Sequence, residues 1–257
     1  MSSLLLPANA VLASNTYSTD LELSSSQYWS ITDGDQTGLD LSTDFTIEAW
    51  IKLEQLPSTS GTRFVFVSKF EDSGDQRSFL LDSESSDKLR LVFDSTGDFN
   101  TARTDISSTA AFFVAADVGT WVHIAVAVDI SASSIVMYKN SSAVGTTSDA
   151  TDATSIYNSS SPFFIGARSN TTALDFPDGL MDEVRVWSDI RTSTEISDNY
   201  QKELVGDEAG LVGYWKFNND GTDETSNDND LTNNNSATFS SSVPFTGALP
   251  RRIIKIE

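Results

Sequence analysis

Gly179-Leu180-Met181-Asp182-Glu183-Val184-Arg185-Val186-Trp187 is the stretch from which this chain is read. A glycine opens it, as at a turn that delivers the chain into an extended segment, and five of the next eight residues are apolar. Side chains on a strand alternate between two faces. Met181 falls on one parity, whereas Val184 and Val186 fall on the other. The stretch therefore predicts a strand with a bulge that resets the alternation, or one buried on both faces. Immediately beyond it, Thr192-Ser-Thr-Glu195 has the chemistry of a helix start. The threonine hydroxyl can accept from a free amide, and the glutamate three residues on can return the bond. One short helix is expected near residues 193–203.

Outward from this centre, strands are expected at residues 45–53, 63–70, 78–82, 88–93, 121–129 and 135–140. Their spacing is that of a sandwich, and the segments between them are rich in Ser, Thr, Asp and Gly. Residues 19–23 and 27–31 read as a first hairpin turning at Ser24-Ser25-Ser26. Two longer irregular stretches remain, 94–119 and 141–161, the second almost wholly polar. Long loops on a rigid scaffold are where specificity usually resides, whereas the second reads first as a flexible surface excursion.

Five segments in register resemble the LamG-like jelly-roll domain of the concanavalin A-like lectin/glucanase superfamily. They are Phe45-Thr-Ile-Glu-Ala-Trp50-Ile-Lys-Leu, Trp121-Val-His123-Ile-Ala-Val-Ala-Val-Asp129, Ile135-Val-Met-Tyr-Lys-Asn140, Pro162-Phe-Phe-Ile-Gly166 and Gly206-Asp-Glu-Ala-Gly210-Leu-Val-Gly-Tyr-Trp215-Lys-Phe217, and they accompany the Gly179–Trp187 stretch. The resemblance runs from about Asp20 to Phe245 and implies an all-β fold: an antiparallel two-sheet jelly-roll sandwich. It implies a single domain over residues 19–246, with an N-terminal tail at 1–18 and a basic-apolar tail at 247–257. Where the family commonly has Asp-Gly in its first turn, this chain has serines.

Composition narrows the function. The 257 residues carry 37 acidic against 16 basic side chains, a formal charge of -21. Nucleic-acid affinity rests on neutralising phosphates, so such a partner is not expected. No apolar run approaches the ~20 residues of a membrane helix, so membrane insertion is not expected either. Cysteine is absent, which removes disulfides and thiolate chemistry. Residues 1–13 lack the basic region of an export signal. A solvated acidic surface in a salty environment, with divalent cations available, suits this charge.

Calcium needs six to eight hard oxygens, and a turn-rich run of carboxylates and amides can supply them. Asp223-Glu-Thr-Ser-Asn227-Asp-Asn229-Asp230 resembles a family loop of that kind, which points to Asp223, Asn227, Asn229 and Asp230. Asp182 resembles a carboxylate that ligates structural calcium in related sandwiches, and Asp20 on the first strand is expected near it. The same loop residues equally suit Asx turns. For a glycan, aromatic faces beside polar groups are wanted. Trp50, Trp121, Trp187 and Trp215 fall on family core positions, so Tyr28, Phe99, Phe112, Phe113 and Tyr157 are the candidates. Catalysis is not expected: His123 is the single histidine, and the E-x-D-x-x-E strand of glycosidase relatives has no counterpart. The reading is a non-catalytic adhesion or carbohydrate-binding module on an extracellular surface, preferably a virion surface or fibre. Its partners would be glycans or a host or cell surface, with calcium-stabilised loops. The alternative is a purely structural decoration or assembly protein that binds a protein scaffold through the C-terminal tail.

Overall fold

The computed structural model describes residues 15–147 and 153–245. In chain order its strands are β1 (Ser18–Leu21), β2 (Tyr28–Ile31), β3 (Phe45–Leu53), β4 (Phe64–Glu71), β5 (Gln76–Ser83), β6 (Leu89–Asp94), β7 (Arg103–Ser107), β8 (Val122–Asp129) and β9 (Ser134–Lys139). They continue with β10 (Ser142–Val144), β11 (Phe163–Ile165), β12 (Arg168–Asn170), β13 (Thr172–Leu174), β14 (Gly179–Trp187), β15 (Leu211–Trp215), β16 (Thr232–Asn234) and β17 (Thr238–Ser240). Two sheets form. One runs β10-β9-β8-β3-β14-β1-β17, with β15 also on β14. The other runs β16-β2-β11-β4-β5-β6-β7, with β12 and β13 attached through β4. The fold is all-β, as expected, and among the described residues the α-helices are two and short: α1 (Pro57–Ser60) and α2 (Ser193–Asn199).

The parity break in the deciding stretch is a bulge. The pairing of β14 with β3 shifts between Asp182 and Arg185, and Glu183 sits at φ 51°. Met181 on one side of the bulge and Val184 and Val186 on the other all enter the central core, and the whole strand is buried. Gly179 opens it at φ 138°, where a Cβ would lie 2.3 Å from the Lys52 carbonyl oxygen. Only glycine fits there. The capping box also forms: Glu195 N donates to Thr192 Oγ1 (3.2 Å), and Thr192 N donates to Glu195 Oε2 (2.8 Å). The helix it starts ends at Asn199, short of residue 203.

Between the sheets, Phe45, Ile47, Phe64, Phe66, Phe79, Phe163 and Trp215 form one apolar core, with Phe163 stacked on Trp215 at 5.3 Å. A second, smaller cluster of Val65, Phe70, Leu80 and Val92 lies apart from it, on the outer face of the β4–β5–β6 region. It is buried because the loop carrying Phe99 covers it.

The first hairpin is not formed. β1 pairs with β14 and β17 in one sheet, and β2 pairs with β11 and β16 in the other. The link is a 3-10 turn at Leu23–Ser25 with Ser26 in the left-handed region, so the chain crosses between layers rather than doubling back. Leu21 and Trp29 thereby enter the core from opposite sheets. Within 94–119, read as irregular, residues 103–107 form β7, and Phe112 and Phe113 fold inward while Val114 beside them stays exposed. The C-terminal tail at 247–257 and residues 1–14 lie outside the described residues.

Candidate functional site

On the outer face of the second sheet, a groove of about 400 Å³ is lined by Gly61, Thr62, Arg63, Glu84, Ser85, Arg168 and Asp175. Three parts of the fold converge there. Residues 61–63 lead into β4, residues 84–85 leave β5, and the β12–β13 hairpin supplies the far wall. The hairpin is fastened by Val65 N donating to Asp175 O (3.0 Å) and by Arg168, which contacts Asp72 and donates from Nε to Asp175 Oδ2 (2.5 Å). Arg63 reaches buried Asp82 with its Nε (3.1 Å), and Asp82 is already held by Arg90 through Nε (3.0 Å) and Nη2 (2.7 Å). Burial raises the Asp82 carboxyl, and the arginine bonds only partly offset that. Arg90 is in turn raised above its ordinary value by Asp82, Asp105 and Glu84, against the opposing effect of burial. The result is a rigid charged floor beneath an open polar groove.

Aromatic candidates divide into three groups. Phe112 and Phe113 are 3% and 1% exposed and belong to the central core, with Phe113 against Phe66 at 5.7 Å, so neither is presented to a ligand. Phe99 and Tyr157 lie at the Gly97 turn but make no ring contact with each other: Tyr157 packs directly on Gly97, and Phe99 packs on Phe70 under Arg103 (4.4 Å) and Arg77 (5.6 Å). Phe99 holds φ 64°, which costs a bulky residue strain. Tyr28 is half-buried and stacks on Phe176 at 5.8 Å. Alternation places Trp29 inward beside it, donating from Nε1 to Thr19 Oγ1 (2.8 Å). Of the four tryptophans expected in the core, Trp50, Trp187 and Trp215 are buried. Trp121 is only half-buried and donates to Ser242 Oγ (3.2 Å).

The proposed metal ligands also fall in three places. Asp223 spends its oxygens on Tyr214 N, Thr225 N, Thr225 Oγ1 and Asn229 N, all at 2.8–3.0 Å. Asn229 bonds both Thr37 N and Thr37 O, Asn227 donates to Val212 O, and Asp230 accepts from Asp223 N. These bonds tie the loop to β15 and to the backbone of Thr37, with the carboxylate and amide oxygens turned onto neighbouring amides as in Asx turns. Asp182 is fully buried and accepts from Asn15 Nδ2 (2.9 and 2.8 Å) and Glu183 N (2.8 Å). Asp20 does not meet it. Asp20 instead groups with Glu22 and Glu54, each offering an oxygen within 4.8 Å of the others; among the described residues this set could hold a metal. Asp20 Oδ1 is buried without a hydrogen-bond partner, which fits a cation. Burial, then Glu22 and Asp178, raises the Asp20 carboxyl.

Beneath α2 a buried polar network surrounds the deciding strand. Arg185 Nη2 and Tyr214 Oη both donate to Glu183 Oε2 (2.7 Å each). Trp187 Nε1 donates to Glu48 Oε1 (2.8 Å), and His123 Nε2 lies 3.3 Å from Glu48 Oε2. Burial lowers the His123 pKa, despite Glu48 beside it. Burial alone would raise Glu48, but His123, Arg185 and Trp187 together hold it below its ordinary value. All these groups are shut off from solvent, and their bonds fasten β14 to β3 and β15.

Fold and site together define a lectin-type antiparallel sandwich with a polar surface groove. The chain belongs to the concanavalin A-like lectin/glucanases superfamily, whose laminin G-type profile matches residues 23–197. Among solved structures, a putative carbohydrate binding protein from Bacteroides ovatus aligns with TM-score 0.61 at 16% identity, over 89% of this chain and 60% of that one. The native heptameric SAP-like pentraxin from Limulus polyphemus aligns with TM-score 0.58 at 11% identity, over 92% and 99%. The Ruminococcus gnavus IT-sialidase CBM40, bound to alpha2,3 sialyllactose, aligns with TM-score 0.50 at 13% identity, over 72% and 98%. At these identities the likeness is one of fold. The chain thus spans less than two thirds of the Bacteroides protein. No curated protein matches it in sequence.

The groove is the part that sequence reasoning missed. Its residues come from four separated stretches, and each side chain alone reads as an ordinary surface charge.

Proposed function

We propose that the protein is a non-catalytic glycan-binding module, displayed outside the cell on a surface such as that of a virion or fibre. The observation that carries this reading is the open groove of about 400 Å³ whose lining includes one incompletely engaged donor, Arg63, and one incompletely engaged acceptor, Glu84, over the Asp82–Arg90 pair. Saccharides are bound by convergent polar groups held in place before the ligand arrives. The family's fold, and the names borne by two of the similar structures, support a saccharide as the ligand. A non-catalytic role is supported by the burial of the only histidine and of its glutamate partner. The acidic surface suits display in a salty medium.

Calcium enters this proposal at Asp20, Glu22 and Glu54, where it would neutralise a carboxylate cluster and tie the start of the fold to the end of β3. The test is binding of the purified protein to an array of immobilised glycans, with calcium and again with chelator. Binding in either buffer supports the module, and a requirement for calcium supports the metal. Absence of binding in both would overturn the reading and favour a structural assembly protein, for which deletion of residues 251–257 is the next measurement.

A further inference from the structure

The chemistry of the groove narrows its ligand beyond the general class of glycans. Resting on the glycan-binding reading, we propose that the groove takes an uncharged saccharide, held through neighbouring hydroxyl groups by Arg63 and Glu84, and that it rejects anionic glycans.

Arg63 is the donor left open. Its Nε is engaged by Asp82, but neither terminal nitrogen has a partner among the described residues, and the side chain is 31% exposed. A guanidinium offers five donors in a planar fork, so the two outer arms remain available. Glu84 is the acceptor left open. Its oxygens make only long contacts, 3.4 Å from Arg90 Nη1 and 3.5 Å from Ser107 Oγ, and its side chain is 32% exposed. Arg168, by contrast, is consumed by Asp72 and Asp175. It is a positioning residue that holds the hairpin wall, and it has little left to offer a ligand.

A hydroxyl both donates and accepts. Two adjacent hydroxyls therefore satisfy a donor fork and a facing carboxylate at once. A carboxylate or sulfate satisfies only the fork and stands as a like charge before Glu84 and Asp175. Such a mismatch costs more than it gains in a partly desolvated site. The charges lining the groove cancel, two arginines against two carboxylates. The whole chain, at -21, repels a polyanion at long range. No aromatic ring lines the groove, so affinity rests on hydrogen bonds rather than stacking.

The experiment compares neutral oligosaccharides (gluco-, galacto- and manno-terminated) with sialylated, sulfated and uronate-terminated ones, on the full chain at low and high salt. Neutral probes should bind, with affinity changing less than about twofold with salt, because no net charge is exchanged. Arg63→Ala and Glu84→Gln should each weaken that binding by about tenfold or more, in line with charge-assisted hydrogen bonds. Both variants should stay folded, since Asp82 keeps its two bonds to Arg90; thermal unfolding checks this. Preference for anionic probes, with affinity lost at high salt, would overturn this inference and leave the glycan-binding function standing. Neutral binding unchanged in both variants would place the ligand elsewhere and likewise overturn it. Failure of every probe to bind would overturn both readings together.

Discussion

Arg185 is the sole arginine in a buried group that also contains Glu183, Asp182, Glu48 and Glu203. Its guanidinium bonds Glu183 Oε2 and the backbone oxygens of Asn199 and Lys202, and so connects β14 to the end of α2. Arg185→Met retains length and apolar bulk while removing the charge. Removing one member of a buried pair leaves the other uncompensated, at a cost of about 3–5 kcal/mol. For a domain of this size that is roughly 6–20 °C in Tm. Burial already raises Glu183 above 4.5, against the pull of Arg185, and without Arg185 it rises further. A carboxyl with a raised folded-state pKa binds a proton that the unfolded chain releases. Stability is therefore gained as pH falls through the folded value toward 4.5 and lost above it. The deficit of the variant should accordingly be larger at pH 8 than at pH 5. Adding Glu183→Gln should recover more than half of the pH 8 loss. Urea unfolding of wild type, both singles and the double at the two pH values measures all of this. A loss below about 1 kcal/mol, or one equal at both pH values, would refute the view that Arg185 stabilises buried acid.

Three further outcomes are expected. Calcium at a hundredfold excess over an extracellular-type Kd of ~10⁻⁴ M should raise stability by about 2.7 kcal/mol, and Asp20→Asn should abolish the rise; an unchanged Tm with calcium removes the metal from the proposal. Gly179→Ala should cost at least about 2 kcal/mol by chemical denaturation, because its Cβ meets the Lys52 carbonyl at 2.3 Å; a neutral substitution would show that β3 can yield there. His123, the single histidine, gives one imidazole resonance whose midpoint should lie below 6.5, because burial favours the neutral ring. Between that midpoint and 6.5 only the unfolded chain is protonated, so its contribution to stability falls as pH falls; a midpoint at or above 6.5 contradicts the buried placement.

Much of the fold is legible because its signals are local. The parity change between Met181 and Val184 marks the bulge, and Thr192 with Glu195 marks the helix start; both depend on neighbours a few residues away. The strands at 45–53 and 121–129 carry enough apolar residues to be recognised without knowing what they face. Phe112 and Phe113 are misleading because a short apolar run inside a long loop reads as a loop-borne surface until the chain is known to fold back. Their amides donate to Asp87 O, and that contact turns both rings inward.

The amino-acid order by itself determined that this is an antiparallel sandwich, where most of its strands and its capped helix lie, and that its chemistry excludes thiols. Hydrophobic period and cap residues encode the strands and the helix start within a turn or two of the chain, and the resemblance of the motifs in order to the LamG-like family implies the antiparallel sandwich. Tertiary structure decided that the first two strands belong to different sheets, that Asp20 meets Glu22 and Glu54 rather than Asp182, and that Arg63, Glu84, Arg168 and Asp175 share one groove. Those outcomes depend on which distant segments pack together, and pairing across the chain is set by the burial of the whole core rather than by any single stretch.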